Sequence, residues 1–297
     1  NTPKQLEPIL GINFAEILYA DDTLVFGTYT KHITALLTEI QKESAYYNMK
    51  LNLGKCINIT LNQGQTTVRY QNRELVPRDK KAKYLGTLLN DTNNNHIELG
   101  NRIGECMSTA NRLKLFWNKA KTSFKWKIQV FNAIISSKLL YGLECIQLTP
   151  SELKRIDAFQ MKGLRRILGI PPTHIDRSNT NKMVWDQAKQ EYGKKLKTFF
   201  EMWQKQKFKL LGHILRCKPD DPLREVTFEK NSFTPRYILK RRSGRPKEQW
   251  ALSTMREAYN IINNHKNRQE YDPDFYDHNA QLVHFAKART GIFEASK

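Results

Sequence analysis

The hydrophobic pattern of this 297-residue chain changes at one polar stretch, residues 90–96, and the change limits the folds that it can adopt. Before this stretch, short apolar runs alternate with turn residues, as in strands and hairpins, around an amphipathic helix predicted over residues 30–49. After it, apolar residues recur at helical spacing in three stripes. The stripes are Ile103, Met107, Ala110, Leu113 and Trp117; Trp126, Val130, Ala133, Ser137 and Leu140; and Leu153, Ile156, Phe159, Leu164 and Ile167. The sequence therefore predicts an α+β protein with its strands in the first ninety residues.

Proline and glycine divide the helical part further. The segment Gly169-Ile-Pro-Pro is expected to end the third helix, because proline cannot continue a helix and restricts the residue before it. A basic, aromatic-rich helical segment is predicted over residues 181–216, and a last helix pair near residues 248–263 and 279–290. We therefore expect three regions, residues 1–90, 91–170 and 171–297.

The charge balance indicates the kind of partner. The chain has 49 Lys and Arg residues against 29 Asp and Glu residues, a formal net charge of +20. Such an excess favours a polyanion, either nucleic acid or an anionic membrane surface. The best apolar stretch, residues 131–143, is interrupted by Asn132, Ser136 and Lys138 and falls short of a spanning helix. We therefore expect no membrane partner.

The cysteines and the first residues bear on the compartment. Cys56, Cys106, Cys145 and Cys217 lie far apart, which excludes a disulfide framework and a sequence-local zinc site. No signal peptide is visible, and the chain begins with Asn1 rather than Met, as in a processed or partial chain. A reducing compartment fits best, so we do not expect secretion.

Two adjacent carboxylates, Asp21 and Asp22, interrupt the apolar run of residues 15–26. Asp is disfavoured in strands and favoured in turns, so the run reads as strand, tight turn, strand. Adjacent carboxylates at a hairpin tip repel each other unless a cation lies between them, and a hard divalent cation suits oxygen ligands. An acidic turn without a metal fits the shape equally well.

Three motifs occur in order: the hairpin sequence Tyr-Ala-Asp-Asp at residues 19–22, Asn-Leu-Gly-Lys at residues 52–55 and Tyr-Leu-Gly at residues 84–86. Together they resemble the palm of a reverse transcriptase of the non-LTR (LINE-type) retrotransposon group. Later segments look like C-terminal landmarks of the endonuclease-reverse transcriptase members of this group; they are residues 138–144, 165–170, 211–216 and 242–250.

The resemblance implies an RNA-directed DNA polymerase and a role for each motif. Asp21 would be the main ligand of a two-metal Mg²⁺ site, with Asp22 as the second or supporting carboxylate. Lys55 would neutralise or protonate the leaving pyrophosphate, or is a solvated surface lysine. Tyr84, Leu85 and Gly86 would form the primer grip, or are an ordinary hairpin.

The same resemblance implies names for the three regions. Residues 1–90 would be the C-terminal part of the palm, residues 91–170 a helical thumb and residues 171–297 a basic helical extension. The partners would be an RNA template, a DNA primer or target and the N-terminal part of the same polyprotein, in a nuclear or cytoplasmic ribonucleoprotein.

The chain departs from the family at the third carboxylate. A working palm takes a further aspartate from an earlier strand, yet only twenty residues precede Asp21 and residues 1–13 contain no aspartate. We therefore expect no polymerisation by this chain alone. The alternative interpretation is a non-catalytic nucleic-acid-binding or structural subunit of a ribonucleoprotein, derived from a reverse transcriptase.

Basic residues suggest where nucleic acid binds. Residues 106–143 contain seven Lys and Arg residues and no acidic one, which favours phosphate contacts with an RNA–DNA duplex over a merely solvated face. The candidates are Arg112, Lys114, Lys119, Lys121, Lys125 and Lys127. A cationic loop, residues 230–247, could be a minor-groove hook or a flexible linker. Its candidates are Arg241, Arg242, Arg245 and Lys247.

Overall fold

The computed structural model describes residues 16–61, 67–70, 74–92, 95–193, 196–236 and 249–263. The chain divides into two compact units, Asn1–Asn94 and Asn95–Lys297. All six described strands lie in the first unit, and the described part of the second unit is mostly helical. The expected α+β class is therefore confirmed. The names palm and thumb remain proposals.

The described part of the first unit consists of small antiparallel strand pairs and one α-helix. Strands β1 and β2 form a hairpin, β5 and β6 form another, and β3 pairs with β4 over two residues each. The elements, in chain order, are β1 (Glu16–Tyr19), β2 (Asp22–Val25), α1 (Thr30–Ala45), a 3₁₀ turn (Leu53–Lys55), β3 (Arg69–Tyr70), β4 (Glu74–Leu75), β5 (Lys81–Tyr84) and β6 (Thr87–Asn90).

A small core holds α1 against the second strand pair. Val68, Tyr70 and Val76 are buried, and Ile33 and Leu37 of α1 pack on them. The helix ends at Ala45, four residues before the predicted end. The chain turns there through Asn48, which has a left-handed φ of 55°, a conformation that asparagine tolerates better than most residues.

The helical segment predicted over residues 181–216 forms two helices, since one ends at residue 192 and the next begins at residue 199. The helix predicted near residues 279–290 lies outside the described residues. The described helices of the second unit cover the other predicted segments. They are α2 (Asn95–Arg112), α3 (Lys114–Lys119), α4 (Phe124–Phe131), which continues through a π-helical segment (Asn132–Ser136) into α5 (Ser137–Leu140), α6 (Pro150–Leu168), α7 (Asn181–Tyr192), α8 (Phe199–Arg216), α9 (Pro222–Thr227) and α10 (Trp250–Asn263).

Capping residues define the longest of these helices. Thr149 and Glu152 form a capping box at the start of α6, and Gly169 ends that helix with a left-handed φ of 70°. Thr198 and Glu201 form a second capping box at the start of α8. In both boxes, side chains satisfy backbone N–H groups that the first helical turn leaves without partners.

One hydrophobic core continues from α2 to α8. Phe131 of α4 stacks on Phe199 of α8, with ring centroids 6.0 Å apart, and Trp203 of α8 donates from Nε1 to the Leu143 carbonyl at 2.9 Å. The break at residues 169–172 ends α6 as predicted, but this core extends across the boundary expected after residue 170. The reason is that α7 and α8 fold back and bury apolar side chains against α4 and α6.

Helix α6 approaches α4 closely at a glycine. A Cβ atom built on Gly163 would overlap the ring of Phe131. Because glycine has no side chain, the aromatic ring can lie directly against the backbone of α6.

The second stripe predicted from the sequence is wrong in its phase. The structure buries Ile128, Phe131, Ile135 and Leu139, whereas three members of the predicted stripe, Trp126, Ala133 and Ser137, are exposed. This stretch is apolar on more than one side, so helical spacing alone allows two solutions. The other two stripes face the core as predicted.

A smaller second core joins the end of α8 to α10. Its buried residues include Phe208 and Leu211 of α8 and Met255 of α10. The fully buried Lys207 donates from Nζ to Glu257 Oε1 at 2.8 Å. The Lys207 ammonium also lies 4.5 Å from the ring centroid of Trp203, so both an anion and an aromatic ring compensate its buried charge.

Candidate nucleotidyl-transfer site and nucleic-acid interface

The aspartate pair lies at the tip of the β1–β2 hairpin. Tyr19 pairs with Asp22 in the strand register, which leaves Ala20 and Asp21 as a two-residue turn. Ala20 has a positive φ of 52°, a conformation that is costly for a residue with a Cβ. The sequence prediction of strand, tight turn and strand is therefore confirmed.

Both carboxylates of this tip are exposed to solvent. Asp21 lies in the turn and Asp22 is the first residue of β2. Within the ranges that the structure describes, neither forms an ion pair, and no group of three or more His, Cys, Asp or Glu residues could hold a metal ion. The two aspartates provide hard oxygen ligands suited to Mg²⁺, but as a partial set.

Lys55 ends the 3₁₀ turn that follows α1. The side chain of Asn52 accepts a hydrogen bond from the Gly54 N–H at 3.1 Å, and the Lys55 N–H donates to the Asn52 carbonyl at 3.0 Å. These bonds fix the turn, and the Lys55 side chain is exposed. Its role toward a nucleotide remains a prediction.

The Tyr-Leu-Gly motif forms the tip of the β5–β6 hairpin. Tyr84 pairs with Thr87, so Leu85 and Gly86 make a two-residue turn with φ values of 45° and 79°. Two positive φ values match the turn type that suits the twist of a hairpin, and glycine is favoured there. Leucine at the first position is strained, since a bulky side chain rarely adopts this conformation.

A side chain of the second hairpin reaches the first. The Tyr84 hydroxyl donates to the carbonyl oxygen of Ile17 in β1 at 3.2 Å. The strand that leads to Asp21 is therefore bonded to the residue that begins the Tyr-Leu-Gly tip. Sequence spacing alone did not predict this contact, because it joins residues that are 67 positions apart.

The acid-free segment of the second unit presents most of its cations to solvent. Five of the six candidates are exposed: Arg112, Lys114, Lys119, Lys121 and Lys125. Lys127 is 6% exposed, and its Nζ donates to the Trp117 carbonyl at 2.7 Å. Lys127 thus holds α4 against α3, and a phosphate contact would have to break this bond. Arg241, Arg242, Arg245 and Lys247 lie outside the described residues.

Sequence reasoning missed one exposed aromatic residue in this segment. The predicted stripe places Trp126 inward, whereas its side chain is 51% exposed, next to the exposed Lys125. Residues 124–140 are apolar on more than one side, and a second helical phase of this stretch predicts that Trp126 faces outward.

Helix α8 ends in a histidine and a cysteine. His213 is exposed in the last turn, and its Nε2 lies 3.8 Å from Cys217 Sγ. Burial raises the pKa of the Cys217 thiol, which disfavours the thiolate that a metal or a nucleophilic role requires. The Cys217 Sγ also donates to the His213 carbonyl at 3.4 Å.

Adjacent carboxylates on a hairpin tip and a basic segment without acidic residues are features of proteins that act on nucleic acids. The chain is distantly homologous to the RNA-directed DNA polymerase from mobile element jockey of Drosophila funebris, with 27% identity over 181 residues. The match covers 55% of this chain and 19% of that relative. It confirms, as distant homology, the resemblance to non-LTR retrotransposon reverse transcriptases.

The other comparisons gave no match. No family model matches the chain, and no solved structure does. In the described part of the chain, no helix is long and apolar enough to cross a membrane.

Proposed function

We propose that this chain is the C-terminal portion of an RNA-directed DNA polymerase of a non-LTR retrotransposon. Residues 1–90 would complete a palm, residues 91–170 would act as its thumb, and residues 171–297 would form a basic extension. The observation that carries the proposal is the pair Asp21 and Asp22 at the tip of a hairpin. Distant homology to the jockey polymerase supports it.

The first unit would contribute to nucleotidyl transfer. Asp21 would hold Mg²⁺, with Asp22 as the second or supporting carboxylate. Bound Mg²⁺ would supply Lewis-acid stabilisation of the negative charge that develops during phosphoryl transfer. Lys55 would bind the pyrophosphate group through its exposed ammonium, and the tip formed by Tyr84, Leu85 and Gly86 would hold the primer end.

The second unit would bind an RNA–DNA duplex through phosphate contacts. Arg112, Lys114, Lys119, Lys121 and Lys125 are exposed on a segment without acidic residues. Such contacts position a duplex without reading its sequence, and they release counterions. The affinity for the duplex is therefore expected to fall steeply as the salt concentration rises.

The third carboxylate of the palm would come from the N-terminal part of the same polyprotein. We therefore propose that the 297-residue chain does not extend a primer by itself. With that part joined to it, the complete enzyme would copy RNA in a nuclear or cytoplasmic ribonucleoprotein.

Primer extension on an RNA template tests this proposal. In the complete protein, Asp21→Asn is expected to lower the extension rate at least about 100-fold, because a metal ligand contributes several kcal/mol to the transition state. Glu43→Gln is the matched control, since it removes an exposed carboxylate of α1, and it is expected to leave the rate unchanged.

Three outcomes would contradict parts of the proposal. Extension by the 297-residue chain alone would refute the missing-carboxylate argument, and full activity of Asp21→Asn would refute the metal-ligand role. A complete protein that binds the duplex but never extends a primer would favour the non-catalytic ribonucleoprotein subunit.

A further inference from the structure

The corner between α3 and α4 exposes a tryptophan that the core does not use. Trp126 lies in the first turn of α4 and is 51% exposed, whereas Trp117 and Trp203 are each 2% exposed. Ile128 and Phe131 of the same helix are buried, so a rotation of α4 that buried Trp126 would expose them. The packing of α4 therefore fixes Trp126 in an outward position.

The chain segment around Trp126 is cationic and otherwise neutral. Lys121 and Lys125 are both exposed close to Trp126 in the chain, as are Ser123 and Gln129, which lie three positions on either side of it. Residues 106–143 contain no acidic residue, so this segment itself does not repel a polyanion. Among the residues for which the structure gives side chains, no ring or cation stacks on the Trp126 indole.

An exposed indole beside lysines favours one form of nucleic acid. Phosphate contacts need only cations, so a surface that merely clamps a duplex has no use for Trp126. Every base has a π-face, and stacking on an aromatic side chain requires that the base be unpaired and accessible. The bases inside a duplex already stack on their neighbours.

We infer that this corner binds single-stranded nucleic acid, with one unpaired base stacked on Trp126 and the adjacent phosphates beside Lys121 and Lys125. The inference rests on the proposed function, and it extends that function from phosphate contacts with a duplex to an unpaired segment of the strand. Anionic membranes would also attract lysines beside a tryptophan, and the test includes them as an outcome.

Binding to two ligands of equal length tests the inference in the full 297-residue chain. The ligands are an unstructured single-stranded RNA and a blunt-ended RNA–DNA duplex. Trp126→Ala is expected to weaken single-strand binding about tenfold and duplex binding less than about twofold, since only the unpaired base can stack. Trp126→Phe retains an aromatic face, so its affinity for the single strand is expected to fall less than about threefold.

Two further variants serve as controls. Leu115→Ala removes an exposed apolar side chain of α3 that has no aromatic face, and it is expected to leave both affinities unchanged. The double variant Lys121→Gln with Lys125→Gln is expected to lower the affinity for both ligands, because both the single strand and the duplex offer phosphates. All variants change exposed positions, so their far-ultraviolet circular dichroism and unfolding midpoints should match those of the parent chain.

The outcomes separate the inference from the proposed function. Suppose that the double lysine variant lowers the affinity for both ligands. If Trp126→Ala then lowers neither affinity, or lowers both equally, stacking is refuted and nucleic-acid binding stands. If the lysine variant changes neither affinity, nucleic-acid binding by this surface is refuted as well. An equal loss with Leu115→Ala, or a Trp126 dependence seen only with anionic lipid vesicles, would also overturn the inference.

Discussion

The two units place their most recognisable residues differently with respect to their cores. In the first unit, the motifs lie on exposed hairpin tips, and the described core cluster has three buried side chains, Val68, Tyr70 and Val76. In the second unit, the described core continues through several helices, and five of the six basic candidates of residues 106–143 lie on its outer surface. The three motifs therefore lie in the first unit, whereas most of the described buried apolar side chains lie in the second.

The largest expected effect tests the packing side of this comparison. Phe131 contacts both α6 and α8, so Phe131→Ala is expected to lower the free energy of unfolding of the second unit by about 3–5 kcal/mol. Chemical denaturation followed by circular dichroism measures this change. Ile134→Ala, at an exposed position of the same helical stretch, should change the free energy by less than about 0.5 kcal/mol. Equal losses in the two variants would contradict the assigned core.

The next largest effect tests the ion pair between the buried Lys207 and Glu257. Glu257→Gln leaves the Lys207 ammonium buried with a neutral partner and is expected to lower the free energy of unfolding by about 1–3 kcal/mol. This loss is smaller than that for breaking a fully buried ion pair, because Glu257 is partly exposed. Adding Lys207→Met removes the buried charge and is expected to restore most of the loss. Glu191→Gln, an exposed change on α7, is the control. A double variant less stable than the single variant would show that the lysine itself is needed.

A smaller effect tests the link between the two hairpins of the first unit. Tyr84→Phe removes the hydroxyl that donates to the Ile17 carbonyl and is expected to cost about 0.5–1 kcal/mol locally. Amide hydrogen exchange in β1 measures the loss as reduced protection. Tyr46→Phe changes a highly exposed tyrosine and should leave exchange in β1 unchanged, so similar changes in both variants would argue against the link.

The last effect appears only at high pH. Burial raises the pKa of the Cys106 thiol to about 11, above its ordinary value near 9, so the folded state favours the neutral thiol. Its contribution to stability is fully present below pH 9 and is lost as the pH rises through 11. Cys106→Ala should therefore reduce the loss of stability between pH 9 and 11. Thermal unfolding over this range measures the difference, and identical pH curves would contradict the assignment.

The sequence predicted the features that depend on local chemistry. The aspartate pair indicated the first hairpin because Asp favours turns, and the proline-containing break after Gly169 indicated the end of α6. Two features required the folded chain. Trp126 faces outward although the predicted stripe places it inward, because its helix is apolar on more than one side. The bond from Tyr84 to Ile17 depends on how distant segments pack. The roles of Asp21, Asp22 and Lys55 still rest on resemblance.

Gly163 has a consequence for how this sequence can vary during evolution. Its missing side chain gives the Phe131 ring room against the backbone of α6. Any larger residue at position 163 would therefore demand a smaller one at position 131, and the two positions should change together among homologues. Such covariation would mark the helical unit as the same structure in relatives too distant to share the aspartate-bearing hairpin.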